Sequence, residues 1–308
     1  MITTVTLNPA VDKTYTTATL MTGQMNRMDS VRNIAGGKGI NVAKVLRQYG
    51  YPVKTMGFIG GYTGKFIEEA VTKLQIVNGF TQIAGETRTS MNILAGDGYV
   101  TELLEPGPEI QEAELQRFFD DYEQELLHNP SVMILSGSAP KQVPTSIYRD
   151  LINRAGNRCK VLLDTSGELL KQGVLEKPFM IKPNIKELEV LADRRIRGLE
   201  ECIEAAVEVQ KTGIPHVLVS MGAKGLVYVC GNELLYAKAP QVKAVNTVGS
   251  GDCVVAAFAM ALEMNLSSEE LLKYCVGISA ANTTTMENGQ IPIETAKVLI
   301  SQITVQHF

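Results

Sequence analysis

The chain has 308 residues, enough for one large α/β domain with an addition or for two ordinary domains. Hydrophobic residues make up 45% and charged residues 20%, with 27 Gly and 12 Pro, a globular composition that excludes a disordered, collagenous or disulfide-scaffold protein. A net charge of −4, from 29 basic against 33 acidic residues, argues against nucleic acid or an anionic membrane as partner. Five scattered cysteines (Cys159, Cys202, Cys230, Cys253, Cys275) without a CxxC pair read as reduced thiols. Three widely spaced histidines (His128, His216, His307) leave little for a zinc site. Met1 to Asn8 carry neither the basic start nor the apolar core of a signal peptide. The longest apolar run, Val254 to Leu262, is far shorter than the roughly 20 residues of a membrane span. A soluble, cytoplasmic protein is expected.

Short β-branched runs alternate with longer amphipathic ones, the pattern of a parallel sheet covered by helices. Strands are expected at Thr3–Leu7 and Lys54–Ile59, with a helix at Gly64–Leu74 after the second. The helix Glu112–Leu127 leads to a strand at Val132–Leu135, and the helix Ser146–Arg154 to a strand at Val161–Asp164. A strand at Phe179–Lys182, a helix at Leu199–Lys211 and a strand at Val217–Ser220 follow. A long helical pair lies near the end, one member opening at Ser267 with Glu270 at capping-box spacing. Two stretches break this rhythm. Asp12–Ile34 and Thr87–Leu104 alternate with period two, and Asp97-Gly98 reads as a hairpin turn. They are expected to form a small antiparallel sheet acting as a lid (residues 12–34 and 87–104) on an αβα domain (residues 1–11, 35–86 and 105–308).

Several common motifs fail. Gly60-Gly61-Tyr62-Thr63-Gly64-Lys65-Phe66 approaches a Walker loop, but Ile59 stands in place of its first Gly and Phe66 in place of its hydroxyl. No GxGxxG follows the first strand, and no GxSxG elbow occurs. More informative is Asn246-Thr247-Val248-Gly249-Ser250-Gly251-Asp252-Cys253, where a Gly-Ser-Gly turn runs into an apolar helix. Such a start offers unpaired N–H groups and a positive dipole end to an anion. Asp252 in the first turn either works beside that anion or caps the helix. A second glycine-rich segment is Ala35-Gly36-Gly37-Lys38-Gly39-Ile40-Asn41-Val42-Ala43. Its glycines free the backbone to wrap a ligand, Lys38 offers a point charge for phosphate, and Asn41 can bond hydroxyls.

Both segments, in this order, resemble the ribokinase-like sugar kinases of the PfkB carbohydrate kinase family. The resemblance extends over nearly the whole chain. It takes in Thr6-Leu7-Asn8-Pro9-Ala10-Val11-Asp12, Gly57-Phe58-Ile59-Gly60-Gly61 with Gly64, and Ser136-Gly137-Ser138-Ala139-Pro140. It continues through Lys182-Pro183-Asn184-Ile185-Lys186-Glu187-Leu188, Val219-Ser220-Met221-Gly222-Ala223-Lys224-Gly225 and Asn282 to Gly289. Within the family, the Gly36-Gly37-Lys38-Gly39 run looks like the branch of tagatose-6-phosphate kinase and 1-phosphofructokinase. Gly85-Glu86-Thr87-Arg88, Thr101 to Pro108 and Leu163-Asp164-Thr165-Ser166-Gly167 look more like its tagatose-6-phosphate side. The resemblance implies a ribokinase-like three-layer αβα fold with a β-sheet lid. It also implies ATP-dependent phosphoryl transfer to the free primary hydroxyl of a ketohexose phosphate. Tagatose 6-phosphate, giving tagatose 1,6-bisphosphate, is the leading acceptor and fructose 1-phosphate the alternative. A plain-sugar or nucleoside kinase and a non-catalytic sugar-phosphate sensor are the competing readings.

The resemblance also assigns roles. Asp252 is the base for the hydroxyl proton, and Gly249, Ser250 and Gly251 form the anion hole for the moving phosphate. Asn184 and Glu187 organise Mg2+ through water, with a helix-capping box as the plainer alternative. Asp12 and Asn41 take sugar hydroxyls while Gly37 and Gly39 allow backbone approach. Lys38, Arg88 and Arg27 hold the acceptor's existing phosphate, with a solvated charge on a lid strand as the plainer alternative for the two arginines. Ser138 touches the sugar or is a turn residue. Lys182, Asn184, Ser220, Gly222, Gly225 and Asn282 fall to ATP. Two departures stand out: Asn246 replaces an Asp near where some relatives bind a monovalent cation, and Ser250 replaces an Ala. Cys253, after the base, reads as a small buried thiol. By analogy, the lid pairs with its twin in a homodimer.

Overall fold

Central strands whose successive residues are all apolar need a core on each side, and the chain provides two. In a computed structural model, which describes residues 1–96 and 98–308, Val217 and Val219 enter one core and Leu218 the other. The chain begins with β1 (Ile2–Thr6), β2 (Ala10–Thr17), β3 (Ser30–Gly36), α1 (Lys38–Gln48), β4 (Val53–Ile59) and α2 (Gly61–Lys73). It continues through β5 (Val77–Gln82), β6 (Arg88–Ala95), β7 (Val100–Leu104), α3 (Glu112–Leu127), β8 (Val132–Ser136), α4 (Ile147–Ala155) and β9 (Lys160–Asp164). Next come α5 (Gly167–Gly173), β10 (Met180–Ile181), α6 (Ile185–Ala192), α7 (Leu199–Gln210), β11 (His216–Ser220), β12 (Leu226–Cys230) and β13 (Glu233–Ala237). The last elements are α8 (Ser250–Glu263), α9 (Ser268–Asn282), α10 (Ile293–Gln302) and β14 (Val305–His307).

The main sheet has the order β14-β13-β12-β11-β10-β9-β8-β1-β4-β5. It is parallel from β11 to β5, as the alternating pattern predicts, and antiparallel from β11 to β14. Only a short turn separates β11 from β12, and so short a link permits a hairpin but not a crossover. One face packs under α1, α8, α9 and α10 and the other under α3, α4 and α7, giving three αβα layers. The capping box at Ser267 and Glu270 is present. No helix among the described residues is long and apolar enough to cross a membrane.

The two expected stretches form the second sheet, β3-β2-β6-β7, with one correction; it is expected to act as a lid and keeps that label. Its two hairpins, β2/β3 and β6/β7, are antiparallel, but β2 and β6 pair parallel from Ala10↔Arg88 to Thr17↔Ala95. Between β3 and β6 the chain passes through α1, β4, α2 and β5 and re-enters the lid in its original direction. Asp97 lies outside the described residues, so only the flanking strands of the predicted Asp97-Gly98 turn are seen, paired with Leu94 opposite Val100. Asp12, Thr14, Asn92 and Glu102 line a cleft of about 470 Å³ against loop residues Ala244–Val248 and Met286. On the other face Val31 and Leu103 are exposed. Arg32 of β3 ties the lid to the body through Glu287 at 2.8 Å.

The end of β1, where the site begins, depends on Gly57 of the adjoining β4. Its φ is 143°, and a Cβ there would strike the carbonyl oxygen of Thr6. Gly57→Ala is therefore expected to cost about 3 kcal/mol in urea unfolding. Gly231→Ala, with φ 57° but open space around it, should cost about 1 kcal/mol. Equal losses would contradict the close strand approach.

Candidate active site

The apolar run after Gly251 drives α8 into the core, where Cys253 to Ala261 are all buried. Burying that helix fixes its start at the sheet's carboxyl edge. Gly249 is the N-cap with φ 79°, a left-handed conformation that suits glycine. The first helical bond runs from Cys253 N to Gly249 O at 2.9 Å, leaving the Gly251 and Asp252 amides without a carbonyl partner inside the helix. A Cβ at Gly251 would sit 3.2 Å from Lys182 Nζ, so the ammonium lies directly against this helix end. Asp252 does not cap the helix. Its Oδ2 instead accepts from Asn41 Nδ2 at 2.9 Å across the site.

Three further charges converge there. Asp164, the last residue of β9 and 1% exposed, accepts from Lys182 Nζ at 3.1 Å and from Lys38 Nζ at 3.3 Å. Burial pushes the Asp164 carboxyl up, but the two ammonium groups outweigh it and hold it below the ordinary carboxylate value. Burial also pulls Lys38 down, yet Asp164, Asp252 and Glu187 together keep it above the usual lysine range. Asp252 behaves differently. Burial and then the Asp164 charge raise it to about 6, against the opposing pull of Lys38, the Asn41 bond and Lys182. A carboxylate at about 6 is ionised at neutral pH yet basic enough to accept a proton.

A second group faces the lid. Burial raises the Asp12 carboxyl against the lowering influence of Lys44 and Arg88. Arg88 donates through Nε and Nη2 to Asn8 O at 3.3 and 3.2 Å and through Nη1 to Glu105 O at 3.3 Å. The guanidinium is thus oriented by backbone carbonyls. Asn8 Nδ2 also donates to Ser138 Oγ at 3.3 Å, so one residue positions both Arg88 and Ser138. A Cβ at position 36 would collide with the Asp12 carboxylate, which explains a glycine there. Lys44 donates to Ala35 O at 2.5 Å and to Asn41 Oδ1 at 3.4 Å.

Gly37 and Gly39 flank Lys38 as α1 begins, and Gly39 packs against Thr6 and Val5. Lys38, expected beside Arg88 at the acceptor's phosphate, lies with Asp164 and Asp252. Arg27 is exposed on the connection between β2 and β3, with no hydrogen bond or ion pair among the described residues. Asn184 and Glu187 form the capping box of α6: Oδ1 of the first accepts from Glu187 N at 3.0 Å, and Oε2 of the second accepts from Asn184 N at 2.9 Å. Among the described residues no three His, Cys, Asp or Glu side chains cluster as metal ligands. Ser220 bridges to Asn184 at the end of β11, and Gly222 and Gly225 take φ 59° and 106° in the turn beyond it. Asn282 is buried, with Nδ2 on Val248 O at 3.0 Å and Oδ1 on Gly289 N at 3.0 Å, so it braces the loops from beneath. Asn246 donates to Met286 O at 3.0 Å and Asn288 Oδ1 at 2.8 Å, a neutral brace between the same loops.

Sequence reasoning missed Asp164, Asn8 and Lys44 as site residues. Asp164 and Asn8 lie in segments that carry the resemblance, but nothing local marks their charge or bonding partners. Lys44 carries only the signal of standing one helical turn after Asn41.

A family model described as "pfkB family carbohydrate kinase" matches residues 5–296. The 1-phosphofructokinase of Borreliella burgdorferi is 32% identical over 307 residues, covering 99% of this chain and 98% of the relative. Phosphofructokinase-2 of Escherichia coli in complex with fructose-6-phosphate superposes with a TM-score of 0.89 at 25% identity, covering 97% of this chain and 98% of that one. The same Escherichia coli enzyme has been solved with potassium, at a TM-score of 0.90, 25% identity and the same coverage.

The Asp252 carboxyl has a stability consequence whose sign follows from its raised value. The folded state holds that proton more tightly than the unfolded chain, so its contribution is full below about pH 4 and is lost as pH rises through about 6. Asp252→Asn, which mimics the protonated form, is expected to be more stable than the parent at pH 7 by about 2 kcal/mol. The gain should close below about pH 4. Thermal melts across pH test this, and a destabilised variant at pH 7 would contradict the buried-charge account.

Proposed function

The chain belongs to the pfkB family of carbohydrate kinases and is an ATP-dependent phosphotransferase, and within that family we propose that its acceptor is a ketohexose monophosphate. The observation that carries the transfer step is Asp252, a buried carboxylate at the start of α8, beside two ammonium groups and held by Asn41. The acceptor's primary hydroxyl attacks the γ-phosphorus of ATP, its proton passes to Asp252, and ADP leaves. The free amides of Gly251 and Asp252 and the ammonium groups of Lys38 and Lys182 face the charge that develops on the phosphoryl oxygens. Mg2+ held through water by Asn184 and Glu187 would neutralise part of the triphosphate charge. The remaining Glu187 oxygen is available for that, since capping uses only Oε2.

At the lid, Arg88 meets the acceptor's own phosphate while Asp12 and Ser138 take hydroxyls. A guanidinium satisfied only by backbone carbonyls keeps its charge for such a ligand. Fructose 1-phosphate is the first choice, on the name of the Borreliella burgdorferi relative. Apart from Arg88, the residues of the segments that suggested tagatose 6-phosphate have local uses independent of where the sugar carries its phosphate. Glu86 accepts from Thr63 at the start of α2, Thr87 Oγ1 accepts from Gly60 N, and Asp164 anchors the lysines. A monovalent cation stays open: Escherichia coli phosphofructokinase-2 has been solved with potassium, and here such an ion would meet the neutral Asn246 amide in place of a carboxylate. The exposed Val31 and Leu103 support pairing of two lids in a homodimer.

An ADP-release assay with Mg-ATP should give the highest kcat/KM with fructose 1-phosphate, lower values with tagatose 6-phosphate and fructose 6-phosphate, and little with free hexoses. Asp252→Asn should lose about 10²- to 10⁴-fold in kcat with little change in acceptor binding. Preference for free sugars would remove Arg88 from the acceptor site, and full turnover in Asp252→Asn would remove the base.

A further inference from the structure

The side-chain amide of Asn41 stands between two groups that each accept only one of its ends. On one side is Asp252, whose ionised carboxylate can only accept, 2.9 Å from Asn41 Nδ2. On the other is Lys44, whose ammonium can only donate, 3.4 Å from Asn41 Oδ1. Turning the amide over would set its oxygen against the carboxylate and its NH2 against the ammonium. The two residues are three apart on α1 and so share a face. Lys44 is itself held by the carbonyl of Ala35, next to the glycines that open the site. Gly289 closes over the pair, since a Cβ there would lie 3.1 Å from Asn41 O and 3.6 Å from Lys44 Cβ.

We propose that Lys44 is a positioning residue for phosphoryl transfer, locking the Asn41 amide so that its N–H faces Asp252 and keeps that carboxylate ionised and aimed. Lys44 stays outside the reacting groups and works through Asn41. Burial lowers the Lys44 ammonium to about 8 despite the pull of Asp12, Glu287 and Asp252, so it remains charged at neutral pH. The other groups acting on Asp252 are Asp164 from β9, Lys38 from α1, Lys182 beyond β10 and the neutral Cys253 thiol on its own helix. Taking away Lys44 removes a nearby positive charge and releases the amide, and both changes raise the Asp252 carboxyl.

This rests on the kinase reading of Asp252, and the test separates the two. In Lys44→Met the acid limb of kcat/KM for the acceptor should move up by about one pH unit, an approximately fivefold loss at pH 6 that fades by pH 8.5. KM for ATP should stay within about twofold, and Lys44→Arg should restore the limb. In an Asn41→Ala background Lys44→Met should add only the smaller part of that shift, the part due to the lost charge. If Lys44→Met does not fold by circular dichroism, Lys44→Gln carries the same readout. A loss uniform across pH, or a full further shift in the Asn41→Ala background, overturns the proposal. Titration of 13C-labelled aspartate in the unliganded protein reads the same shift without any substrate, so a wrong acceptor leaves this test intact.

Discussion

A carboxylate buried at the end of a central strand is costly unless its charge is answered, and Asp164 is answered twice. Lys182 and Lys38 reach it at 3.1 and 3.3 Å from two different elements. Breaking a buried pair of this kind typically costs about 3–5 kcal/mol, so the arrangement constrains where both lysines can be. Asp252 is the fourth member of the cluster. With it ionised, two carboxylates balance two ammonium groups; with it protonated, the cluster carries one net positive charge. Asp164 therefore does two things at once: it fixes the lysines at the helix start, and its own charge helps keep Asp252 basic.

The fold is arranged to bring these groups together from distant parts of the chain. Parallel strands β9 and β10 end at the same edge, and α8 is seated there by its own apolar length. The helix α1 contributes Lys38 and Asn41 on the side facing that edge. Above the edge, the lid contributes Asp12 and Arg88, and the Arg32–Glu287 pair ties it to the body. That pair is exposed, so its hold on the small sheet is weak.

The αβα layers were legible because buried parallel strands and amphipathic helices write strong periodic patterns. The helix Glu112–Leu127 has the same limits in sequence and structure. The edge hairpins β12 to β14 were not legible, since short half-buried strands carry little pattern of their own. The lid was visible as alternation in Asp12–Ile34 and Thr87–Leu104, but the parallel pairing of β2 with β6 depends on a long connection that alternation cannot reveal. In the site, Asp252 stood out because a glycine turn before an apolar helix is a local signal. Its partner Asn41 lies 211 positions away in sequence, and the charge balance that sets its basicity depends on Asp164, Lys38 and Lys182 meeting in space. Asn184 and Glu187 suited both capping and metal organisation, and the capping geometry is present in full. Lys38 stood out as a charge beside glycines, but its place against Asp164 could not be read from its own segment.

The most direct measurement of the central claim is the titration of Asp252 itself in the unliganded protein. Carbon-13 resonances of labelled aspartates, assigned by comparison with Asp252→Asn, would be followed from pH 3 to pH 9. A midpoint near 6 for Asp252 is the result that burial beside Asp164 requires. A midpoint near 4, the ordinary value for a solvated aspartate, would mean that the cluster neither buries nor tunes its base, and the account of this site would fail.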